Sequence, residues 1–208
     1  MSVFVFELEG GDCLVRTYKS AILRKEEIKQ TSLELFSKHG YQEITMEQIA
    51  SVNNIARTTL YEYFQSKEDI LYALIDEVVQ LDFSEPISGS TKQQLEFLAA
   101  SSIARVQNNY MLYKVFFQEL PTLSSPTSEK IAKWQSYSMK LVQKVVSRGL
   151  TEGEFREGLT EETLMFLYRA LIGQRLADLL ILNNQVNPQE EAKRLIDLMY
   201  TGIKKTRD

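Results

Sequence analysis

The 208-residue chain is 44% hydrophobic and 25% charged and carries a net charge of −4, which is the composition of a folded globular protein. Its ten tyrosines and ten phenylalanines exclude a disordered polar chain. The single cysteine, Cys13, and the single histidine, His39, are too few for a tetrahedral metal site, a disulfide or most imidazole-based catalysis. We therefore predict no metal and no cofactor.

The hydropathy pattern predicts a soluble protein of the cytoplasm that has no membrane contact. No stretch reaches the roughly 20 apolar residues that a membrane-spanning helix requires, and no signal segment opens the chain. The small negative charge argues against a protein that coats nucleic acid, but it is compatible with a local basic surface.

Residues 1–19 are predicted to form a separate N-terminal arm. Apolar and β-branched residues at 3–8 lead into Gly10 and Gly11, and Cys13–Val15 continue the apolar pattern, which indicates a β-hairpin. Because an isolated hairpin is only marginally stable, a loose arm is the alternative.

Apolar residues recur at spacings of three and four through the rest of the chain, which predicts an all-α fold of about nine helices. Glycine, asparagine and capping side chains mark the helix ends, among them Gly40 and a capping box at Thr45. The predicted helices cover Ser20–Lys38, Thr45–Val52, Ala56–Phe64, Lys67–Leu81, Thr91–Asn108, Tyr110–Leu120, Pro126–Glu152, Glu161–Asn184 and Pro188–Lys205.

The stretch Thr45–Phe64 meets the physical requirement for a helix-turn-helix, because it holds two short helices and a tight turn inside a three-helix unit. The start of the second helix must carry side chains that can reach base edges in the major groove. Arg57, Thr58 and Thr59 stand there. Arginine can bind guanine through two hydrogen bonds, and a threonine methyl group can contact thymine.

These residues resemble the TetR family of one-component transcriptional regulators, over a stretch from Arg24 to about Leu74. Two positions depart from the family pattern: Asn54 replaces the usual glycine of the turn, and Ala56 replaces the usual capping serine. The matching residues are Leu35-Phe36, Gly40, Thr45, Ile49-Ala50, Asn54-Ile55-Ala56-Arg57-Thr58-Thr59-Leu60-Tyr61-Glu62-Tyr63-Phe64 and Ser66-Lys67-Glu68.

The resemblance implies a set of DNA contacts and two core residues, Leu60 and Phe64. Glu47 and Glu62 place negative charge near the DNA face, so we expect non-specific binding to be modest and sensitive to salt. The implied base contacts are Arg57, Thr58 and Thr59, and the implied phosphate contacts are Thr45, Tyr61, Tyr63 and Lys67.

The predicted helix Glu161–Asn184 is apolar on most faces, so it must be buried on more than one side. Together with the last helix it suits a four-helix bundle across a two-fold axis, which resembles the dimer interface of the family. An ordinary core helix is the alternative. The predicted interface residues are Leu167, Ala170, Leu171, Gly173, Ala177, Leu180, Leu195 and Met199.

Effector pockets in the family lie among the middle helices, where this chain is rich in aromatic residues. An aromatic stripe is also typical of an ordinary core, which is the alternative. Arg105 lies in a mostly apolar helix, and we expect it to bind an anionic group, either of a ligand or of a protein glutamate. The predicted lining is Arg105, Tyr110, Tyr113, Phe117, Trp134, Tyr137, Gln174 and Arg175.

We therefore predict a homodimeric regulator with a DNA-binding domain at 20–66 and a regulatory domain at 67–208. The predicted function is that of a repressor which a small-molecule effector releases from a palindromic operator. The alternative is a DNA-binding protein that a protein partner controls, without a small-molecule effector. An enzyme is disfavoured because no nucleophile accompanies His39, which falls at the predicted end of the first helix.

Overall fold

A computed structural model describes residues 11–80, 89–119 and 125–204, and the chain divides between Asp76 and Glu77 into two compact units. The architecture is all-helical, as the sequence predicts. In the described ranges, no helix is long and apolar enough to cross a membrane. The helices of the first unit are α1 (Gly11–His39), α2 (Met46–Val52), α3 (Arg57–Tyr63) and α4 (Lys67–Gln80), of which α4 runs past the division.

Helix α1 begins nine residues before the predicted start at Ser20. The prediction of a strand at Cys13–Val15 is therefore wrong, because these residues are helical. The physical reason is that extending an existing helix needs no new nucleus, whereas an isolated hairpin has no surface to pack on. The other half of the predicted hairpin, residues 3–10, lies outside the described residues.

The helix-turn-helix follows from local chemistry. Thr45 caps α2 in a full capping box, in which its hydroxyl accepts from the Gln48 amide and the Gln48 side chain accepts from the Thr45 amide. Asn54 closes the turn at φ 53°, a left-handed conformation that asparagine tolerates. Ala56 precedes α3 and makes no side-chain capping bond. These features confirm the predicted turn in spite of the two departures.

The core of the first unit lies between its helices. Leu60 and Phe64 are buried, as the resemblance implies, and Phe36 packs edge-on against Tyr41 with 5.0 Å between ring centroids. The other large side chains of this unit that are fully buried are Ile28, Ile49, Ile70 and Leu71.

The second unit is a helical bundle that closely follows the predicted helix pattern. One predicted helix is interrupted, because a π-helical turn at Arg169–Gly173 lies between α8 and α9. Asn187 caps the last helix and Pro188 occupies its first turn, as predicted. The helices are α5 (Thr91–Asn108), α6 (Tyr110–Glu119), α7 (Ser125–Thr151), α8 (Glu161–Tyr168), α9 (Gln174–Leu182) and α10 (Pro188–Ile203).

Helices α5, α7, α8 and α10 share one hydrophobic core. Near the end of α7, Gly149 lies so close to its neighbours that a Cβ atom there would stand 2.7 Å from the Phe155 ring and 2.9 Å from the Thr91 methyl group. Phe155 in turn packs on Tyr200 of α10, with 5.9 Å between ring centroids. Glycine at 149 is therefore a packing requirement of this core.

Candidate functional site

The start of α3 presents the predicted base-reading residues at the surface. Arg57 and Thr58 are exposed, and Thr59 is half-buried. Leu60 directly after them is fully buried and anchors the helix on the core. An exposed helix start on a rigid support is the arrangement that a helix-turn-helix uses to enter a major groove.

Arg57 is held by two neighbours in this structure. Its guanidinium pairs with the Glu47 carboxylate of α2 at 2.6 Å, and it lies 3.4 Å from the Tyr61 hydroxyl and 5.4 Å from the centre of the Tyr61 ring. A backbone amide hydrogen bond, followed by the charge of Arg57, lowers the pKa of the Glu47 carboxyl, so the ion pair persists at neutral pH. Base reading by Arg57 would therefore require its guanidinium to leave the Glu47 carboxylate for the acceptors of a base edge.

Three of the predicted phosphate contacts, at the start of α2 and on α3, differ in exposure. Thr45 is exposed at the start of α2, where its hydroxyl already accepts a capping bond and can still donate one. Tyr61 and Tyr63 are half-buried. Contacts of these residues with DNA stay predictions.

Lys67 has an intramolecular role that the sequence does not reveal. Its ammonium group donates to the backbone carbonyls of Tyr41, Gln42 and Ile44 at 2.8, 3.0 and 3.2 Å, and it lies 4.5 Å from the centre of the Tyr41 ring. An ammonium group has three N–H donors, and all of them are used here. The phosphate contact by Lys67 that the resemblance implies would require one of these bonds to break.

The second unit encloses a cavity of about 430 Å³. Its wall comes from every helix from α5 to α9 and from the π-helical turn, which contributes three lining residues as α5, α6, α7 and α9 each do. Three predicted lining residues, Arg105, Tyr113 and Phe117, lie on this wall. The full lining among the described residues is Ser102, Arg105, Val106, Tyr113, Phe116, Phe117, Gln135, Ser138, Met139, Tyr168, Arg169, Ile172, Gly173, Leu176, Ala177 and Leu180.

The prediction is wrong for four lining residues, which are absent from the described wall of the cavity because their side chains make other contacts or face solvent. The Tyr110 hydroxyl donates to the Leu180 carbonyl at 3.2 Å, and the Gln174 amide donates to Asp178 at 2.9 Å. Arg175 donates to Glu191 of α10 at 2.5 Å. Tyr137 is exposed and does not line the cavity. The side chain of Trp134 lies outside the described part of the chain.

The predicted dimer residues fall into three groups. The predicted interface role of Leu195 and Met199 is corrected by the structure, because both side chains are buried in the core of their own unit. Gly173, Ala177 and Leu180 line the cavity. Ala170 is exposed, and Leu167 and Leu171 are half-buried and pack on the core.

The structure also identifies functional candidates that the sequence analysis missed. Arg169, the first residue of the π-helical turn, lines the cavity together with Ile172 and Gly173 of the same turn. Phe166 of α8 and Leu198 of α10 are large apolar side chains that are 62% and 58% exposed. The sequence could have identified Phe166, because it lies one helical turn before the predicted interface residue Ala170.

Comparisons with known proteins agree with this geometry. Residues 28–74 match the family model described as "Bacterial regulatory proteins, tetR family". The fatty acid metabolism regulator protein of Bacillus subtilis (strain 168) is 20% identical over 182 residues, which are 85% of this chain and 94% of that protein.

Two solved structures share the fold. The ketosteroid transcriptional regulator KstR2 of Mycobacterium tuberculosis superposes with a TM-score of 0.72 at 20% identity, over 88% of this chain and 96% of that one. AibR, solved in complex with isovaleryl coenzyme A and operator DNA, superposes with a TM-score of 0.66 at 17% identity, over 84% and 97% of the two chains.

A helix-turn-helix with an exposed α3, joined to a separate helical unit, defines a DNA-binding transcriptional regulator. The matched family model lies over this module, so residues 28–74 form a DNA-binding domain of the TetR family of transcriptional regulators. The function of the chain is therefore regulation by DNA binding and not enzymatic catalysis.

Proposed function

We propose that this protein is a homodimeric repressor that leaves a palindromic operator when a small molecule enters the cavity of the second unit. The observation that carries the proposal is the pairing of an exposed recognition helix with a cavity of about 430 Å³ in the same chain. That volume lies within the range of pockets for small ligands. AibR offers a parallel, since its structure holds both an acyl coenzyme A and operator DNA.

The proposed DNA contacts are Thr45, Arg57, Thr58, Thr59, Tyr61 and Tyr63, with the backbone amides at the start of α4 as a further phosphate site. In a two-fold dimer, two copies of α3 would enter successive major grooves about 34 Å apart. A ligand would act through α4, because this helix begins in the first unit and ends in the second.

The first test is the selection of bound sequences from random duplex DNA by the purified protein. We expect an enriched palindrome, and we expect Arg57→Ala to weaken binding to it by about tenfold or more, as the loss of a bidentate contact to guanine predicts. Tyr61→Phe removes only the hydroxyl group that faces Arg57 and should weaken binding less.

The matched variant for this experiment is Glu47→Gln, at the same ion pair. It removes a negative charge from the proposed DNA face and releases Arg57, so we expect tighter binding to any duplex and a smaller preference for the palindrome. Absence of any enriched sequence at low salt would contradict the proposal.

Dimerisation is proposed to use the exposed apolar side chains of α8, α9 and α10. Phe166, Ile181 and Leu198 are each more than half exposed in the single chain, and a partner that covered them would remove their apolar surface from water. Because a dimer of two-fold symmetry uses the same residues twice, one substitution changes both sides of the interface.

We expect Leu198→Asp to convert the dimer to a monomer at micromolar concentration, because each dimer would bury two unpaired carboxylates. Analytical ultracentrifugation of the full chain measures this directly. Met111→Asp, at an apolar residue of α6 that is 46% exposed, is the control and should leave the mass unchanged. A wild-type protein that sediments as a monomer would refute the interface.

A further inference from the structure

The cavity has an uneven charge distribution. Arg105 of α5 and Arg169 of the π-helical turn both line it, and the described lining includes no aspartate or glutamate. Most of the remaining wall is apolar or aromatic, with a few neutral polar groups such as Gln135 and Ser138. A ligand that fills this space therefore meets an apolar surface and positive charge.

Arg105 does not line the wall alone. Its guanidinium interacts with the hydroxyl of Tyr113, which is 8% exposed and lines the same cavity. Burial raises the pKa of Tyr113 strongly, and the nearby charge of Arg105 only partly opposes this shift. The phenol consequently keeps its proton at physiological pH and remains able to donate a hydrogen bond.

A guanidinium group and a protonated phenol side by side form a donor set for a planar anion. The guanidinium offers a fixed fork of N–H groups, which matches the two oxygens of a carboxylate. The phenol can give one further hydrogen bond to the same group. The half-buried position of Arg105 reduces competition from water at this point.

The π-helical turn adds a second, independent observation. Three of its five residues, Arg169, Ile172 and Gly173, line the cavity. Single π-helical turns are rare and occur often at functional sites, since they alter which side chains face inward. One of these three residues, Arg169, places a second positive charge at the wall.

We propose that the effector is an amphipathic carboxylate, whose apolar chain fills the cavity and whose carboxylate is bound by Arg105 together with Tyr113. This inference rests on the proposed function, which makes the cavity the effector site. Arg169 is exposed, so water and salt screen its charge more than that of Arg105. Its contribution is therefore a general attraction of anions to the cavity.

The experiment compares three probes of equal chain length, decanoate, decanol and decyltrimethylammonium, by calorimetry on the full-length protein without DNA. We expect decanoate to bind at least about tenfold more tightly than decanol, and we expect the cation not to bind. In Arg105→Gln this preference should fall to about twofold or less. Arg105→Lys, which keeps the charge but lacks the fork, should retain part of it.

Release of the selected palindrome by each probe is measured in parallel, which separates the two proposals. If decanol binds as tightly as decanoate and releases DNA, the carboxylate inference is overturned and the proposed function stands. If decanoate shows the preference but DNA stays bound, the carboxylate site stands and ligand-driven release fails. Absence of decanoate binding up to its solubility limit, or an unchanged preference in a folded Arg105→Gln protein, also overturns the inference.

Discussion

Lys67→Met is expected to destabilise the helix-turn-helix unit by about 2 kcal/mol, because it removes three hydrogen bonds from a charged donor. These bonds tie the start of α4 to the turn between α1 and α2, which ends next to the Thr45 cap. With the ammonium group gone, the carbonyls of Tyr41 and Ile44 lose their partner at part-buried positions. Urea denaturation of the full-length protein measures the change.

The dependence of operator binding on salt distinguishes this role from a phosphate contact. A lysine that neutralises a phosphate contributes about 0.9 to the slope of log K against log salt. Since the Lys67 ammonium is committed to carbonyls, we expect Lys67→Met to weaken binding without changing that slope.

The control for this prediction is Lys67→Arg. It preserves the charge, but a planar guanidinium cannot replace a compact ammonium among three converging carbonyls, so stability should not return. A slope that falls by about one in Lys67→Met, together with full rescue by Lys67→Arg, would instead establish a phosphate contact.

Gly149→Ala is expected to lower the thermal midpoint of the protein by about 5 °C, a net loss of about 1–2 kcal/mol. The added methyl group would stand 2.7 and 3.0 Å from two carbons of the Phe155 ring and 2.9 Å from the Thr91 methyl group. Neither neighbour moves freely, because Phe155 packs on Tyr200 and the Thr91 hydroxyl bonds to Glu154 at 2.7 Å. Overpacking therefore outweighs the helix propensity of alanine, which is worth about 1 kcal/mol.

Gly202→Ala provides the matched control, because Gly202 also lies in a helix and a Cβ atom there meets nothing within 4 Å. This change should raise the midpoint slightly, through helix propensity alone. Differential scanning calorimetry of both variants compares the two effects. An equal rise in both proteins would contradict the packing argument at Gly149.

The features that the sequence predicted correctly depend on residues that are neighbours along the chain. The capping box joins Thr45 to Gln48, and the left-handed turn is a property of Asn54 itself. Apolar spacing of three and four positions predicted most helices to within one or two residues, because one face of a helix repeats with that period. The burial of Leu60 and Phe64 was implied by the resemblance of the helix-turn-helix to its family, and both side chains are buried.

The predicted site residues were found less completely, since a pocket depends on several helices at once. Arg105, Tyr113 and Phe117 reach the cavity, whereas Arg175 pairs with Glu191, which is 16 positions further along the chain. Arg169 lines the wall although no local pattern marked it, and Gln174 does not line it because its side chain donates to Asp178.

By itself, the sequence determined the all-helical architecture, the helix-turn-helix and its exposed α3, because short-range hydrogen bonding and helical periodicity are written in adjacent residues. Only the tertiary structure decided which partners the charged side chains bind when those partners are far away along the chain. The Lys67 ammonium turns to carbonyls 23 to 26 positions earlier, and Arg57 pairs with Glu47 of another helix. Such contacts depend on how helices pack, and no local pattern records that packing.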